Sequence, residues 1–242
     1  MYYTRQDNYF LVVAVFVDDF FILSNSDSLK TKFKNDLKKL FTVKDLGPVK
    51  DCLGMRVSQS KGRVTLDQSH YIDKLLGKYN MTDAITVTTP MEPGLKLTLP
   101  TQVEEIDVPY RELIGSLMYI AIGTRPDIEH TVSYLSQFNT HYGGVHWKAA
   151  KRVLRYLKGT KDMRLTYTHN GYNNVVGYSD ADFGNSVIDR RSYTGYVFLV
   201  SGGPISWEAH KQRTVALSTT EAEYMALAEA CKEAIYLKTL IQ

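Results

Sequence analysis

Apolar and polar residues alternate in blocks near the N-terminus, in a pattern typical of a β-hairpin followed by a helix. Leu11–Val17 is rich in β-branched side chains and predicts a strand, and Phe20–Leu23 predicts the returning strand. The pair Asp18-Asp19 then occupies the turn. Beyond the hairpin, Ser26 or Asp27 can cap a helix, because apolar residues recur at helical spacing. These residues are Leu29, Phe33, Leu37, Leu40 and Phe41.

The middle of the chain predicts two strands, a helix and a linker. After the breaker Gly47-Pro48, the strands cover Leu53–Ser58 and Arg63–Asp67, and a short helix covers about Ser69–Tyr79. The segment from Met81 to Pro109 changes character because prolines recur along it. It is the best linker candidate in the chain.

The last part of the chain predicts helices, then strands, then one long helix of about Thr220–Leu240. The predicted helices are about Tyr110–Ile122, Asp127–Phe138 and Gly144–Gly159. The predicted strands are Leu165–Thr168, Val175–Ser179, Tyr193–Val200 and Ile205–Glu208. Ser218 and Glu221 form a capping-box pattern at the start of the long helix. The fold class expected from this order is α+β or α/β.

Composition changes this picture little. The 242 residues are 44% hydrophobic and 23% charged, which is ordinary for a globular protein. A net charge of +3 means that any nucleic-acid role has to come from local clustering of cations.

Cys52 and Cys231 lie too far apart to suggest a disulfide framework or a zinc site. No stretch reaches the roughly 18 apolar residues of a membrane span, and no secretory leader is evident. An intracellular, reduced protein is expected.

The pair Asp18-Asp19 is the first candidate site. Two carboxylates inside an apolar run are costly to bury unless a cation or hydrogen bonds compensate them. Two-metal nucleotidyl transfer uses clustered carboxylates, and a hairpin tip presents them rigidly. The alternative is an exposed Asp-Asp turn, since aspartate favours turns. The apolar flanks favour the metal site.

The predicted helix Gly144–Gly159 is the second candidate, because its cations share one face. These cations are Lys148, Lys151, Arg152, Arg155 and Lys158. Such a stripe suits contacts to phosphates, and it equally suits a solvated helix surface. The spacing alone leaves both interpretations open. The same helix contains the string Arg152-Val-Leu-Arg155, which matches the short motif of secreted oomycete effectors and is best read as accidental.

Several strings resemble those of a known family. Phe16-Val17-Asp18-Asp19 resembles the Tyr-X-Asp-Asp hairpin of reverse transcriptases, with phenylalanine in place of tyrosine. Further strings, in order along the chain, are similar to the polymerase of copia-type (Ty1/copia) retrotransposon Pol polyproteins. They are Lys44–Gly47, Leu53-Gly54, Tyr110–Tyr119, Thr124–Asp127 and His146–Gly159. This resemblance favours a template-primer or hybrid duplex as the partner of the basic helix.

The resemblance implies a partial reverse-transcriptase palm hairpin with thumb and connection helices, followed by an incomplete ribonuclease H-like mixed sheet with a long helix. The implied ranges are 1–80 for the palm end and the primer-grip and thumb start, 81–109 for the linker, 110–163 for the thumb and connection helices, and 164–242 for the truncated ribonuclease H part. Asp180 and Glu221 would be two of its metal ligands, beside Asp18 and Asp19 of the polymerase. Asp182 and Glu223 would be either structural or supporting neighbours of those ligands. The implied cofactor is Mg²⁺ or Mn²⁺.

The implied partners are an RNA template, a DNA primer, an RNA–DNA hybrid and the remainder of the Pol polyprotein, with no membrane. The expected location is the cytoplasm, in a virus-like particle, or the nucleus. Both modules look cut, because the family places a further aspartate upstream of the hairpin and further carboxylates after the long helix. The chain alone is therefore expected to lack robust activity. The alternatives are a non-catalytic nucleic-acid-binding remnant and a secreted effector.

Overall fold

The computed structural model describes residues 1–100, 106–169 and 174–241. Helices alternate with three antiparallel sheets, which confirms a mixed α/β fold. The chain divides into two compact units, Met1–Lys50 and Asp51–Gln242. No helix within the described ranges is both long enough and apolar enough to span a bilayer.

The N-terminal unit is a three-stranded sheet with one helix. Strands β1 (Tyr2–Gln6), β2 (Tyr9–Phe16) and β3 (Asp19–Ser24) pair in the order β1-β2-β3. Helix α1 (Asp27–Leu40) begins as predicted, because the Ser26 hydroxyl accepts a hydrogen bond from the backbone N–H of Leu29 at 3.4 Å. The predicted hairpin and helix are confirmed, and β1 is an element that the apolar pattern missed.

The second unit begins with a four-stranded sheet whose last strand comes from far along the chain. Its strands are β4 (Asp51–Cys52), β5 (Met55–Ser60), β6 (Arg63–Asp67) and β7 (Leu165–Thr168), in that order.

The turn between β4 and β5 needs glycine. Leu53 and Gly54 have φ of 51° and 75°, which is the pattern of a type I′ turn. A Cβ on Gly54 would collide with the hydroxyl of Tyr119, which donates a hydrogen bond to the Leu53 carbonyl at 2.6 Å. This hairpin tip is therefore fixed against a helix of the core.

The helical core of the second unit consists of four helices and a 3-10 turn, Pro126–Ile128. The helices are α2 (Ser69–Lys78), α3 (Tyr110–Thr124), α4 (Glu129–Ser136) and α5 (Gly144–Gly159). Leu113, Leu117 and Leu154 are fully buried in this core. Burying such leucines contributes about 1.5–3 kcal/mol each, which makes this cluster the main source of stability for the unit.

The predicted linker, residues 81–109, packs on the core through several of its side chains; residues 101–105 lie outside the described ranges. Leu97 is 4% exposed, and its backbone N–H donates a hydrogen bond to the hydroxyl of Tyr134 at 2.8 Å. Met81, Val87 and Met91 pack against the same cluster. Prolines exclude regular structure here, but the intervening apolar side chains anchor the segment. The predicted ranges remain a prediction about functional modules, which packing does not test.

The C-terminal part is a three-stranded antiparallel sheet followed by one long helix, α6 (Thr219–Ile241). Its strands are β8 (Val176–Asp182), β9 (Tyr193–Val200) and β10 (Gly203–Lys211), in the order β10-β9-β8. The expected mixed sheet is wrong for these described strands, because β9 pairs antiparallel with both β8 and β10.

The two faces of this sheet contact different helices. Phe198 packs with Ala230 and Leu237 of α6 on one face. On the other face, Tyr193 joins the helical core, and the indole N–H of Trp207 donates a hydrogen bond to the Ala121 carbonyl at 3.0 Å. The sheet is therefore a central layer between α6 and the helical core.

Candidate carboxylate sites and the basic helix

The tip of the β2–β3 hairpin is a two-residue turn made by Val17 and Asp18. Asp19 is the first residue of β3 and pairs with Phe16, so the predicted turn is displaced by one residue. Val17 has a φ of 51°, which is unfavourable for a β-branched residue. Such strain costs on the order of 1–3 kcal/mol and tends to cluster at functional sites.

Both aspartates at this tip are exposed, and so are their apolar neighbours. Phe16 and Val17 are 54% and 80% exposed. The expectation that the apolar flanks bury the two carboxylates is therefore wrong in this structure. What still favours a functional role is the donor chemistry of adjacent carboxylates, together with the strained turn that presents them.

Asp180 lies near the end of β8, on the face of the sheet that contacts the helical core. It pairs with Gly195, two residues along β9 from Tyr193, and same-face residues repeat every second position. Its carboxylate is exposed and accepts a hydrogen bond from the backbone N–H of Ala181 at 2.9 Å. Asp182, on the same face, accepts hydrogen bonds from the Tyr193 backbone and the Asn185 side chain. These bonds connect Asp182 to the start of β9 and to the loop that follows β8.

Glu221 lies in the first turn of α6, which covers the opposite face of that sheet. Its backbone N–H donates to the Ser218 hydroxyl at 3.1 Å, and its carboxylate accepts from the Leu217 backbone N–H at 2.6 Å. The bond to Ser218 is one half of the capping box that the sequence predicts, whereas the carboxylate reaches Leu217, one residue before the Ser218 cap, and not Ser218 itself. The start of α6 lies close to this end of the sheet, because Gln212 donates hydrogen bonds to the Ala222 carbonyl and to the Thr194 hydroxyl, and Thr194 pairs with Ala181. Among the described contacts, none joins the Asp180 and Glu221 carboxylates directly.

The described residues do not fit a complete magnesium site. Among them, no group of three or more His, Cys, Asp or Glu side chains has a geometry that could hold a metal ion. Mg²⁺ demands near-ideal octahedral coordination by oxygen, and adjacent pairs of carboxylates satisfy only part of it. Asp18 and Asp19 have the carboxylate oxygens that Mg²⁺ prefers, but two carboxylates are fewer ligands than the ion requires.

Three cations of the basic helix α5 hold the segment between α2 and α3. Arg155 donates a hydrogen bond to the Ile85 carbonyl at 2.6 Å, and Lys158 donates to the Ala84 carbonyl at 2.9 Å. Arg152 donates to the Thr89 hydroxyl at 3.0 Å and pairs with Glu92 at 3.2 Å. Most of the stripe therefore has an internal structural role, which neither sequence interpretation anticipated.

The other two cations of the stripe remain available. Lys148 is exposed, and Lys151 lies over the ring of Trp147 at 5.8 Å. They form a smaller positive surface than the sequence predicts.

We expect the substitution Arg155→Gln to loosen residues 84–92 without unfolding the helical core. The shorter side chain loses the Ile85 contact, while the buried face of α5 stays intact. Amide hydrogen exchange of Ile85–Thr89 should accelerate about tenfold or more, which reports local opening. Lys148→Gln, on the same helix and without such a contact, should leave this exchange unchanged. Equal protection in both variants would contradict the structural role.

Arg125 forms a buried ion pair in the Thr124–Asp127 string, and no local sequence signal marks it by itself. Arg125 is 2% exposed and donates two hydrogen bonds to the Asp127 carboxylate, at 2.8 and 2.7 Å. It also donates to the carbonyl and hydroxyl of Thr160, while the Tyr156 hydroxyl donates to Asp127 at 2.8 Å. Burial by itself raises the pKa of Asp127, but the Arg125 and Tyr156 contacts outweigh it, and the pKa is lowered. The string joins the 3-10 turn to the end of α5.

The string Arg152-Val-Leu-Arg155 is part of the same packed helix. Val153 and Leu154 are fully buried, whereas Arg152 and Arg155 hold residues 84–92. Packing therefore accounts for all four residues.

Comparison with known proteins adds the family. A model of the reverse transcriptase (RNA-dependent DNA polymerase) family matches residues 1–93. Over its whole length, the chain is 43% identical to the retrovirus-related Pol polyprotein from transposon TNT 1-94 of Nicotiana tabacum. The match covers 19% of that polyprotein. A transposon Ty5-1 protein of Saccharomyces cerevisiae is 34% identical over 92% of the chain, which covers 73% of that protein.

A third relative is named as a secreted effector and not as a transposon protein. The secreted RxLR effector protein 161 of Plasmopara viticola is 51% identical over 54% of the chain, and the match covers 92% of that protein. No solved structure matches the chain significantly.

Three observations indicate the same family. They are the strings that run in order along the sequence, the reverse transcriptase match that includes the hairpin, and the transposon relatives. The chain spans about a fifth of the TNT 1-94 polyprotein, so it corresponds to a portion of such a protein. It belongs to the copia-type retrotransposon Pol polyprotein family.

Proposed function

We propose that the chain acts as part of an RNA-directed DNA polymerase with ribonuclease H, within a copia-type Pol polyprotein. The observation that carries the proposal is the exposed Asp18-Asp19 pair on a strained turn, inside the range that matches the reverse transcriptase family. An RNA template, a DNA primer and an RNA–DNA hybrid are the proposed partners, together with the remainder of the polyprotein. The proposed location is the cytoplasm, in a virus-like particle, or the nucleus.

Asp18 and Asp19 are the proposed carboxylate ligands for Mg²⁺ or Mn²⁺ in the polymerase site. When bound, such ions would stabilise charge on the attacking and leaving oxygens. The protein's own contribution is the two-residue turn, which holds both carboxylates at the end of paired strands. Because the described residues hold only part of a ligand set, the site needs a carboxylate from another part of the polyprotein.

Asp180 and Glu221 are proposed as ligands of the ribonuclease H site on weaker support. The order of three antiparallel strands and a long helix, with Asp180 near the end of the first strand and Glu221 at the helix start, agrees with the proposal. The first turn of α6 contacts the end of the sheet that carries Asp180, through the bonds of Gln212 to Ala222 and Thr194.

A non-catalytic nucleic-acid-binding protein is the second candidate. Lys148 and Lys151, on the exposed side of α5, favour it because cations without internal carbonyl partners are free to contact phosphates. A secreted effector is not favoured, because Val153 and Leu154 of the motif-like string lie inside the helical core.

We expect the chain alone to extend a DNA primer on an RNA template no faster than its Asp18→Asn variant, with either Mg²⁺ or Mn²⁺ present. In a longer polyprotein that contains this chain, Asp18→Asn should reduce extension about 100-fold or more, because a lost charge-stabilising contact has effects of that size. Asp7→Asn is the matched control, since Asp7 occupies the other turn of the same sheet. Extension that survives Asp18→Asn in the longer protein would refute the proposed role.

A further inference from the structure

A cavity of about 410 Å³ lies between the start of α4 and the sheet β8–β10. Pro126, Glu129 and His130 line it on the helical side. Tyr178 and Trp207 line it on the side of the sheet, and the hydrogen bond from Trp207 to Ala121 fixes the indole. The cavity is thus bounded by aromatic surface and by a carboxyl group.

Glu129 is a buried residue with one unpartnered carboxylate oxygen among the described residues. It is 8% exposed, and its Oε2 atom has no hydrogen-bond partner among the described residues. Buried polar atoms are nearly always satisfied, so an orphaned carboxylate oxygen at a cavity wall requires an explanation. A bound cation would provide one, because an unpaired buried charge is costly.

The groups around Glu129 leave the cavity negative. Glu208 also lines the cavity, but its side chain lies on the α6 face of the sheet, where it accepts a hydrogen bond from Tyr196 at 2.9 Å and lies 3.3 Å from the His210 ring nitrogen. Burial, helped by the negative charge of Glu208, raises the pKa of Glu129 to about 7.

The remaining charged or titratable wall groups do not neutralise Glu129. Asp127 is committed to Arg125, and Asp180 adds a further carboxylate. Burial lowers the pKa of His130, although the charge of Asp182 opposes that shift. Among the described residues that line the cavity, none is lysine or arginine.

The chemistry of the walls favours a planar organic cation over a metal ion. A divalent metal needs several oxygen ligands, and the described residues provide no cluster of three. A guanidinium group is weakly hydrated, stacks on aromatic faces and pairs with a carboxylate through two hydrogen bonds. Glu129 beside Trp207 and Tyr178 offers both kinds of contact.

We propose that this cavity binds an alkylguanidinium group, with Glu129 as its carboxylate partner and Trp207 or Tyr178 as its aromatic surface. The ligand is either a free small molecule or an arginine side chain of another polypeptide, since both carry the same head group. The cavity shares Asp180 with the proposed ribonuclease H site, but its binding test requires neither polymerase nor nuclease activity.

The test is calorimetric titration of the full chain with butylguanidinium, with n-butanol as the neutral analogue. At pH 8.5 the chain should bind butylguanidinium, and affinity should fall about tenfold or more at pH 5.5, because Glu129 becomes protonated below about 7. Glu129→Gln should weaken binding at pH 8.5 about tenfold and remove this pH dependence. The peptide Gly-Arg-Gly as a second probe separates the sources: binding by both probes supports an arginine side chain, and binding by butylguanidinium alone supports a small molecule.

The glutamine variant should fold. A carboxyl group with a raised pKa gives its full contribution to stability below its ordinary pKa and loses it as the pH rises through about 7. Glu129→Gln removes that loss, so the variant should be at least as stable as the parent at pH 8.5. Glu223→Gln, an exposed position on α6, is the matched control and should bind like the parent. No binding by the parent, equal binding by Glu129→Gln, or equal binding of n-butanol would each overturn the proposal.

Discussion

Replacing Arg125 by methionine is expected to destabilise the unit Asp51–Gln242 by about 3–5 kcal/mol, the range for a buried ion pair that loses one partner. The guanidinium of Arg125 is almost fully buried and makes hydrogen bonds to Asp127 and to Thr160. Methionine has a similar length, so the main loss is electrostatic. It leaves the Asp127 carboxylate with the Tyr156 hydroxyl as its remaining partner among these contacts.

Tryptophan fluorescence during urea unfolding measures this effect, because Trp147 and Trp207 both belong to this unit. The double variant Arg125→Met, Asp127→Asn should recover part of the loss, since it removes the unpaired charge. Arg111→Met is a control at an exposed arginine that donates to a backbone carbonyl at 2.6 Å, and it should cost less than about 1 kcal/mol. An Arg125→Met variant as stable as Arg111→Met would contradict the role of the ion pair.

The pH dependence follows from the lowered pKa of Asp127. A carboxyl group with a depressed pKa stabilises the fold above its ordinary value near 3.8 and loses that contribution as the pH falls through its folded value. The parent should therefore lose stability in acid more steeply than the double variant, which has no carboxylate at this position. Identical acid transitions would mean that Asp127 does not carry this dependence.

The sequence predicts those elements whose formation depends on neighbouring residues, such as helix caps and strands of a hairpin. Ser26 caps α1 as expected, and the apolar run gives β2 and β3 at nearly the right ends. The turn between them is displaced by one residue, because turn propensity favours two aspartates over a valine. A β-branched residue with positive φ goes against local preference, and only the register of the paired strands reveals it.

The sequence pattern does not predict which groups the charged side chains contact. The spacing of cations on α5 correctly gives one face, yet it contains no information on the carbonyl groups of Ala84 and Ile85 that cover that face. Composition likewise marks residues 81–109 as a linker, whereas burial of Leu97 depends on helices that follow it in the sequence. Long-range packing decides both outcomes.

The carboxylate sites show the same limit. Strand alternation fixes the face of Asp180 only once the pairing of β8 with β9 is known, and the sequence does not say which face α6 covers. The sequence does not mark Glu129 as a binding residue, because glutamate is common in the first turn of a helix. Its significance comes from a sheet whose strands lie more than 45 residues further along the chain.

Leu154→Ala is expected to destabilise the second unit by about 2–5 kcal/mol, the usual range for a buried leucine. Leu154 is fully buried in the helical core, at the third position of the effector-like string. If that string were an exposed recognition motif, its leucine would be replaceable with little effect on folding. The stability of the variant therefore separates a structural helix from an accessible motif, independently of any activity.

Leu227→Ala provides the matched control, because Leu227 lies on α6 with 50% of its surface exposed. It should cost well under half as much as Leu154→Ala, since the loss scales with the apolar surface that leaves the core. Urea unfolding followed by tryptophan fluorescence compares the two variants under one condition. If both leucine variants unfold at the same urea concentration as the parent, α5 is not part of the core. The arginines on either side of Leu154 would then be accessible to a partner, because only the packing of α5 holds them against residues 84–92.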